Sequence, residues 1–508
     1  MPFKISTTFN PIRELKSGCV YPLTTLLVNT YIPEPLKTQI IKYIEEQKEN
    51  KITIKNNIDN PLRPYQLEDA TTMLNKKRVA LFNEQRLGKT PTVLTVVKNL
   101  PEKLKVLIIA PKSTHYQWEQ ECIKWCTENV YRLRGTPKQR DKAYENNYKV
   151  YITTYETCHI DFKKLKEKHF DIMIIDEAHR LHNYRGDMSK NSPAFTKSII
   201  KLAKETEYLY PLTGTPAPNY SWQVYPILHA LYHNLFSSFW GFVNYFYNIE
   251  TVYTKQGNTN KPGDFINLFK KEELQEFLKL NTIQRKRKDY MAWIPKVDEK
   301  IIYLELDKNE RKWYNELTDT WECEELGYDC PNKLVLMTRL LQVTSTLSTK
   351  TNYILQYIED YPDEQIIITS TFSSYLLLLQ TMIPNSKLII GKTPSKTRGE
   401  LQNSFNKKEF NVLLGNIDVL SEGIKLEQGN TIIEVNPSLV YSDNIQLYDR
   451  IIPTSEEVAI IKNKQQIIKL VCKDTIDEYI SEQLALKKSS ADIVNNFKKG
   501  EKQKWVGL

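Results

Sequence analysis

Short β-branched and aliphatic runs alternate with longer helical stretches along this chain, and they do so twice. The first set lies at residues 79–82, 106–110, 150–153, 172–175 and 208–212, the second at 366–369, 388–390, 412–414, 431–435 and 467–471. A strand with one wet face alternates apolar and polar residues. Runs such as Val106-Leu107-Ile108-Ile109 do not alternate, so both faces of these strands must be covered. Helices placed between them supply the cover, which predicts parallel sheets. Two such sets predict two α/β lobes in tandem.

A chain of 508 residues accommodates roughly two to four domains. The pattern predicts a lead-in over 1–60 with an amphipathic helix near 36–47, a first lobe over 61–295, a helical crossover over 296–345, a second lobe over 346–485 and a tail over 486–508. From about 220 the first lobe turns aromatic and helical (SWQVYPILHALYHNLFSSFWGFVNYFYN), which predicts helix-packing core rather than a base-stacking platform. A polar loop near 254–263 interrupts it. The net charge of +9 suits a polyanionic partner but is mild for this length. No apolar run approaches bilayer-spanning length, and the first residues lack the apolar core of a signal peptide, so no membrane role is expected. Seven scattered cysteines read as thiols of a reducing compartment rather than zinc ligands.

The sharpest local signal is RVALFNEQRLGKTPTVLTVV, a strand running through a loop into Gly88-Lys89-Thr90 and then a helix with Pro91 in its first turn. Amides at a helix N-terminus face an anion, so Leu87, Gly88, Lys89 and Thr90 suit a nucleotide's phosphates. Lys89 would reach the β- and γ-phosphates of ATP, and the Thr90 hydroxyl would ligate Mg2+. Gly391-Lys392-Thr393 carries the same letters directly after a strand, with no loop to cradle a phosphate, and reads as a surface turn. The partner of Lys89 is the apolar strand 172–175 ending in Asp176-Glu177-Ala178-His179. Chemistry in doubly wound sheets collects at the carboxyl ends of strands. There Asp176 would hold the magnesium through water and Glu177 would orient the attacking water.

With these motifs placed, residues 61–485 resemble the Swi/Snf-like branch of helicase superfamily two, whose fold is a pair of RecA-like, P-loop lobes. Leu62-Arg63-Pro64-Tyr65-Gln66 resembles the leader that reads adenine, which implies nucleotide contacts for Arg63 and Gln66. Ile108-Ile109-Ala110-Pro111, with Trp118, Glu121 and Trp125 after it, and Thr153-Thr154-Tyr155-Glu156, resemble two segments that touch the DNA backbone, implying that role for Pro111, Lys112, Thr154 and Tyr155. Leu212-Thr213-Gly214-Thr215-Pro216 resembles the motif that couples hydrolysis to nucleic acid, and its hydroxyls suit the DEAH loop. The basic run containing Arg285 and Arg287 resembles a segment before the crossover that contacts DNA or the other lobe. In the second half, Thr369 and Ser370, then Ser421 and Gly423, then Gln446 and Arg450 fall where the family has motifs four, five and six. The resemblance implies DNA contacts for Thr369, Ser370 and Ser421, nucleotide contacts for Gly423, Gln446 and Arg450, and an arginine-finger role for Arg450. Residues 471–478 resemble the family's closing brace.

Two positions depart from the family pattern. Arg86 stands where its P-loop carries glycine, and Pro453 stands where motif six carries a second arginine. The resemblance implies an ATP-hydrolysing translocase on double-stranded or branched DNA, using ATP and Mg2+, working as a monomer in the cytoplasm or, in a eukaryote, the nucleus. A recruiting protein is left open. A strand-separating DNA or RNA helicase is the enzymatic alternative, and a nucleotide-gated DNA clamp with little turnover, suggested by Pro453, is the alternative of another class.

Overall fold

The structure, a computed structural model, describes residues 53–54, 56, 61–190, 192–254, 257–421, 424–453, 458–459 and 465–495. The expected helix at 36–47 and most of the tail lie outside them. Two compact units divide the chain between Asp289 and Tyr290.

In the first unit the strands are β1 (Ala80–Leu81), β2 (Val106–Ile109), β3 (Val130–Arg132), β4 (Val150–Thr153), β5 (Ile172–Asp176) and β6 (Tyr208–Leu212). After the antiparallel hairpin β7 (Tyr247–Thr254) and β8 (Gly257–Phe265) comes β9 (Thr282–Ile283). Seven of them form one sheet in the order β3-β4-β2-β5-β6-β1-β9, with every pair parallel. Successive side chains of a strand point to opposite faces. Accordingly Leu107, Ile109, Met173 and Ile175 enter one hydrophobic cluster, while Val106, Ile108, Ile172 and Ile174 enter another. Continuous apolar runs are what two-sided burial requires.

The aromatic stretch packs as core. Tyr225, Phe236, Phe242, Phe246 and Phe277 join the first cluster, with edge-on pairs such as Phe236–Phe277 at 5.1 Å between ring centres. The expected polar loop at 254–263 is instead mostly β8, paired with β7 from Tyr247↔Phe265 to Thr254↔Gly257. Its Asn, Gly, Lys and Pro residues have poor strand propensity, and backbone pairing to β7 overrides it.

The second unit holds β10 (Asp298–Leu304), the small hairpin β11 (Glu322–Cys323) and β12 (Tyr328–Asp329), then β13 (Ile366–Ser370), β14 (Lys387–Ile389), β15 (Val412–Asn416), β16 (Thr431–Glu434) and β17 (Gln466–Cys472). Its six-stranded parallel sheet runs β10-β17-β16-β13-β15-β14. The same alternation sends Ile366, Ile368 and Leu414 to one cluster and Ile367, Leu413 and Ile432 to the other. The crossover 296–345 is not wholly helical: β10 pairs with β17 from Asp298↔Gln466 to Leu304↔Cys472. As an edge strand it carries exposed Asp298, Glu299, Lys300 and Ile301, so no apolar run announces it. Gly391-Lys392-Thr393 is a surface turn, braced by Arg398 on the Thr393 and Gly391 carbonyls. No helix among the described residues is long and apolar enough to cross a membrane.

Candidate active site

Register brings the first unit's motifs to one edge. Leu212 of β6 pairs with Leu81 of β1 on one side and with Asp176 of β5 on the other. The residues that leave these strands therefore emerge level: the phosphate-type loop 82–88, Thr213–Thr215 and Glu177.

The loop closes through two left-handed residues, Arg86 at φ +70° and Gly88 at φ +74°, the second capping the helix Lys89–Asn99. At Gly88 a Cβ would lie 2.1 Å from Gln66 Nε2, so any other residue would have to push that amide off its place and take up a strained φ. Arg86 takes its conformation without glycine's freedom. Lys89 Nζ donates to the Asn83 carbonyl at 2.9 Å and to that of Glu84 at 3.4 Å, which holds the ammonium over its own loop. Thr90 follows it, half-buried, in the helix's first turn. Leu87 is buried, and its carbonyl accepts from Gln66 Nε2 at 3.1 Å and from the Tyr65 hydroxyl at 3.3 Å. Gln66 Oε1 in turn accepts from Arg63 N at 2.8 Å. The Gln66 amide, expected on a base edge, is buried and engaged at both ends in shaping the loop. The Arg63 side chain remains exposed.

Across the edge, Trp118 Nε1 donates to Asp176 Oδ2 at 2.7 Å, and Glu177 N donates to Asp176 Oδ1 at 3.1 Å. Glu177 is left-handed, at φ +51°. The Tyr155 hydroxyl donates to the Asp176 carbonyl at 2.6 Å and the Glu177 carbonyl at 3.1 Å. Tyr155, expected on the DNA backbone, is thus a buried strut under the acidic loop in this structure. His179 Nδ1 lies 3.0 Å from Thr213 Oγ1 and 3.3 Å from Glu177 Oε2, so the threonine motif and the acidic loop are joined by one imidazole. Thr213 Oγ1 also accepts from Thr215 N at 3.1 Å across Gly214. Burial, then the neighbouring Glu177 carboxylate, pushes the Asp176 carboxyl up; the Trp118 indole and Lys89 oppose them. Two adjacent carboxylates at a desolvated strand end are a donor set for a hard divalent cation.

The basic run is not presented outward as a whole. Because β9 pairs with β1, residues 284–289 leave the sheet beside the phosphate-type loop: Phe82 N donates to Ile283 O at 2.7 Å and Glu84 N to Arg285 O at 3.1 Å. Arg285 reaches Asp69 Oδ1 with Nε at 2.6 Å and Glu68 Oε2 at 2.8 Å, while Asn83 Nδ2 holds Asp69 Oδ2 at 2.7 Å. Arg285 is thus engaged in an internal ion pair, and Arg287 is half-buried with its amide on Glu84 Oε2 at 2.7 Å.

Burial pushes Asp69 up to about 6, against the pull of Asn83 and Arg285. A carboxyl raised in the fold favours folding while neutral, and that contribution is lost as pH rises through the folded value. Arg285→Met raises the value further, so its penalty should be small near pH 5.5 and about 3 kcal/mol near pH 8, where the carboxylate is buried without its cation. Thermal midpoints of parent and variant at the two pH values check this; a penalty independent of pH refutes it.

Other residues expected on DNA are also turned inward. Thr369, Ser370 and Ser421 are buried. Ser370 Oγ donates to Asn436 Oδ1 at 2.8 Å, and Ser421 Oγ to the Asp418 carbonyl at 3.2 Å. Buried polar groups need partners inside the fold, and the Ser370 and Ser421 hydroxyls have them. Pro111 is buried, Thr154 caps the helix Tyr155–Ile160 by accepting from Thr157 N at 2.9 Å, and Lys112 stands exposed. Within the second unit Arg450 donates to the Ser421 carbonyl, joining the residues assigned to motifs five and six, and Gln446 is buried. Gly423 lies outside the described residues.

The sequence reading gave no site role to Asp69 or Asn83, and it placed Trp118 only in a segment resembling one that touches the DNA backbone, not on Asp176. A buried indole usually finds an acceptor, which was a further signal for Trp118.

The family model described as the SNF2-related domain matches residues 65–359, and the helicase conserved C-terminal domain matches residues 349–452. Chromodomain-helicase-DNA-binding protein 1-like of Danio rerio is 23% identical over 480 residues, covering 85% of this chain and 44% of its own length. Chromodomain-helicase-DNA-binding protein 6 of Homo sapiens is 29% identical over 283 residues, covering 51% of this chain and 10% of its own. The chain thus spans less than half the length of these relatives. The solved Sulfolobus solfataricus SWI2/SNF2 ATPase core in complex with dsDNA is 22% identical, covering 88% of this chain and 94% of its own, with a TM-score of 0.40.

Proposed function

The chain belongs to the SNF2-related family, and from that premise we propose that it is a DNA-dependent ATPase whose hydrolysis drives movement on, or remodelling of, duplex or branched DNA. The observation that carries the reading is the level edge at which Lys89, Asp176, Glu177 and Thr213 emerge from three adjacent parallel strands. Lys89 takes the β- and γ-phosphates of ATP, exchanging its two loop carbonyls for phosphate oxygens. Thr90 and Asp176 hold Mg2+, and the crowding that raises the Asp176 carboxyl supports that assignment. A cation held there would supply neutralisation of phosphate charge. Glu177 orients the attacking water and accepts its proton. The His179–Thr213 link carries the state of the acidic loop to the motif that follows β6. Within the second unit, Arg450 donates to the Ser421 carbonyl, which ties together the segments assigned to motifs five and six.

DNA binding through exposed cations such as Lys112 is salt-sensitive and largely independent of sequence. The test is ATPase stimulation by duplex DNA, single strands, RNA and forked junctions. Strongest stimulation by duplex or forked DNA supports the motor. Preference for single strands or RNA transfers the reading to a strand-separating helicase, and tight nucleotide-dependent binding without turnover transfers it to a clamp.

A further inference from the structure

We propose that Trp118 is a positioning residue, whose indole holds the Asp176 carboxylate and ties it to the exposed turn Lys112–Thr114, so that nucleic acid seated on that turn acts on the metal-holding carboxylate through this bond. The inference deepens the motor reading and rests on it.

The bond is short, at 2.7 Å, and Trp118 is only 2% exposed. An indole N–H is a donor with a single direction, so the ring's packing fixes where the carboxylate oxygen must lie. The other Asp176 oxygen takes the Glu177 amide at 3.1 Å, which leaves the carboxylate little rotational freedom. Without the indole, one of the two restraints is gone.

Trp118 also has a rigid path to the surface. It lies in the helix His115–Trp125, less than one helical turn past His115. That helix is entered directly from the turn Lys112–Thr114, where Lys112 and Ser113 are exposed. The turn is fastened to the end of β2: Thr114 N donates to Pro111 O at 3.0 Å, and His115 Nε2 lies 3.1 Å from Ala110 O. β2 is the direct neighbour of β5, paired from Val106↔Ile172 to Ile109↔Ile175, so turn and carboxylate occupy one sheet edge on adjacent strands. A phosphate drawn to Lys112 and Ser113 shifts a turn that has one stiff connection to Asp176.

Trp118→Phe keeps an aromatic ring and removes the donor. The experiment uses the full chain and follows a fluorescent ATP analogue while Mg2+ is titrated, with and without duplex DNA. Losing a partner that orients a metal ligand typically weakens metal binding about 10–100-fold, so the Mg2+ needed for half-saturation should rise at least about tenfold. Duplex DNA should lower that requirement in the parent and not in the variant, while nucleotide binding without Mg2+ stays within about twofold. An unchanged Mg2+ requirement overturns the proposal, as does a loss of binding equal with and without Mg2+, which would mark Trp118 as merely structural. If the parent responds to DNA and the variant responds equally, this proposal alone falls; a parent that ignores DNA sinks the motor reading with it. Should Trp118→Phe fail to fold, 5-fluorotryptophan in the parent decides: the Trp118 resonance, assigned through Trp118→Tyr, should move on adding duplex alone, and its immobility refutes the link.

Discussion

Glu177→Gln is expected to lower DNA-stimulated ATP turnover by about 10²–10⁴-fold while nucleotide and DNA still bind. The substitution keeps the shape of the side chain and an oxygen or nitrogen facing His179 Nδ1, which lies 3.3 Å from Oε2. It removes the negative charge that would polarise water. It also removes the like charge that, after burial, raises the Asp176 carboxyl. Binding and chemistry therefore separate. Lys89→Ala should behave differently, because its loss removes the cation that the Asn83 and Glu84 carbonyls hold across the loop, and nucleotide affinity should fall with turnover. Single-turnover hydrolysis beside equilibrium binding of a fluorescent analogue tells the two apart. A Glu177→Gln chain that turns over within about threefold of the parent would remove Glu177 from the chemistry.

What was legible beforehand followed one rule: patterns carried by neighbouring residues could be read, and partnerships between distant residues could not. The strand residues Val106–Ile109 and Ile172–Asp176 declared themselves through unbroken apolar runs, and Lys89 and Asp176 through the loop and strand end beside them. β9 is two residues long and β10 is an exposed edge, so neither offered a run. Arg285 sat in a basic stretch that reads as an outward face, yet its partner Asp69 lies 216 positions earlier. The resemblance pointed to particular segments, but it could not say which way their side chains turn. Thr369 and Ser370 at the end of β13 and Tyr155 just after β4 are all buried; the Ser370 and Tyr155 hydroxyls find partners inside the fold, on Asn436 and on the Asp176 carbonyl.

The largest expected loss of stability comes from a pair that no local pattern announces. Lys350 in the helix Ser348–Asp360 and Asp477 in the first turn of the helix Ile476–Asn495 meet at 2.7 Å, with side chains 0% and 5% exposed. Lys350 Nζ also donates to the Val435 carbonyl at 2.6 Å; Asp477 accepts from Thr344 Oγ1 at 2.7 Å and Cys472 N at 3.1 Å. Each charge is thus desolvated and fully directed, the arrangement in which deleting one partner costs far more than the pair contributes. Lys350→Met should destabilise the second unit by about 3–5 kcal/mol, because a carboxylate remains buried with no cation. Replacing both, Lys350→Met with Asp477→Leu, should recover part of that loss, since apolar groups of similar size need no partner. Urea unfolding of the two variants and the parent measures both differences; a single variant within about 1 kcal/mol of the parent, or a double variant worse than the single, contradicts the account. The consequence reaches past stability. Val435 N donates to the Thr369 carbonyl, and Asn436 beside it accepts from Ser370. The ion pair therefore fastens the C-terminal helix to the ends of β16 and β13, and weakening it should loosen those strand ends before the unit unfolds.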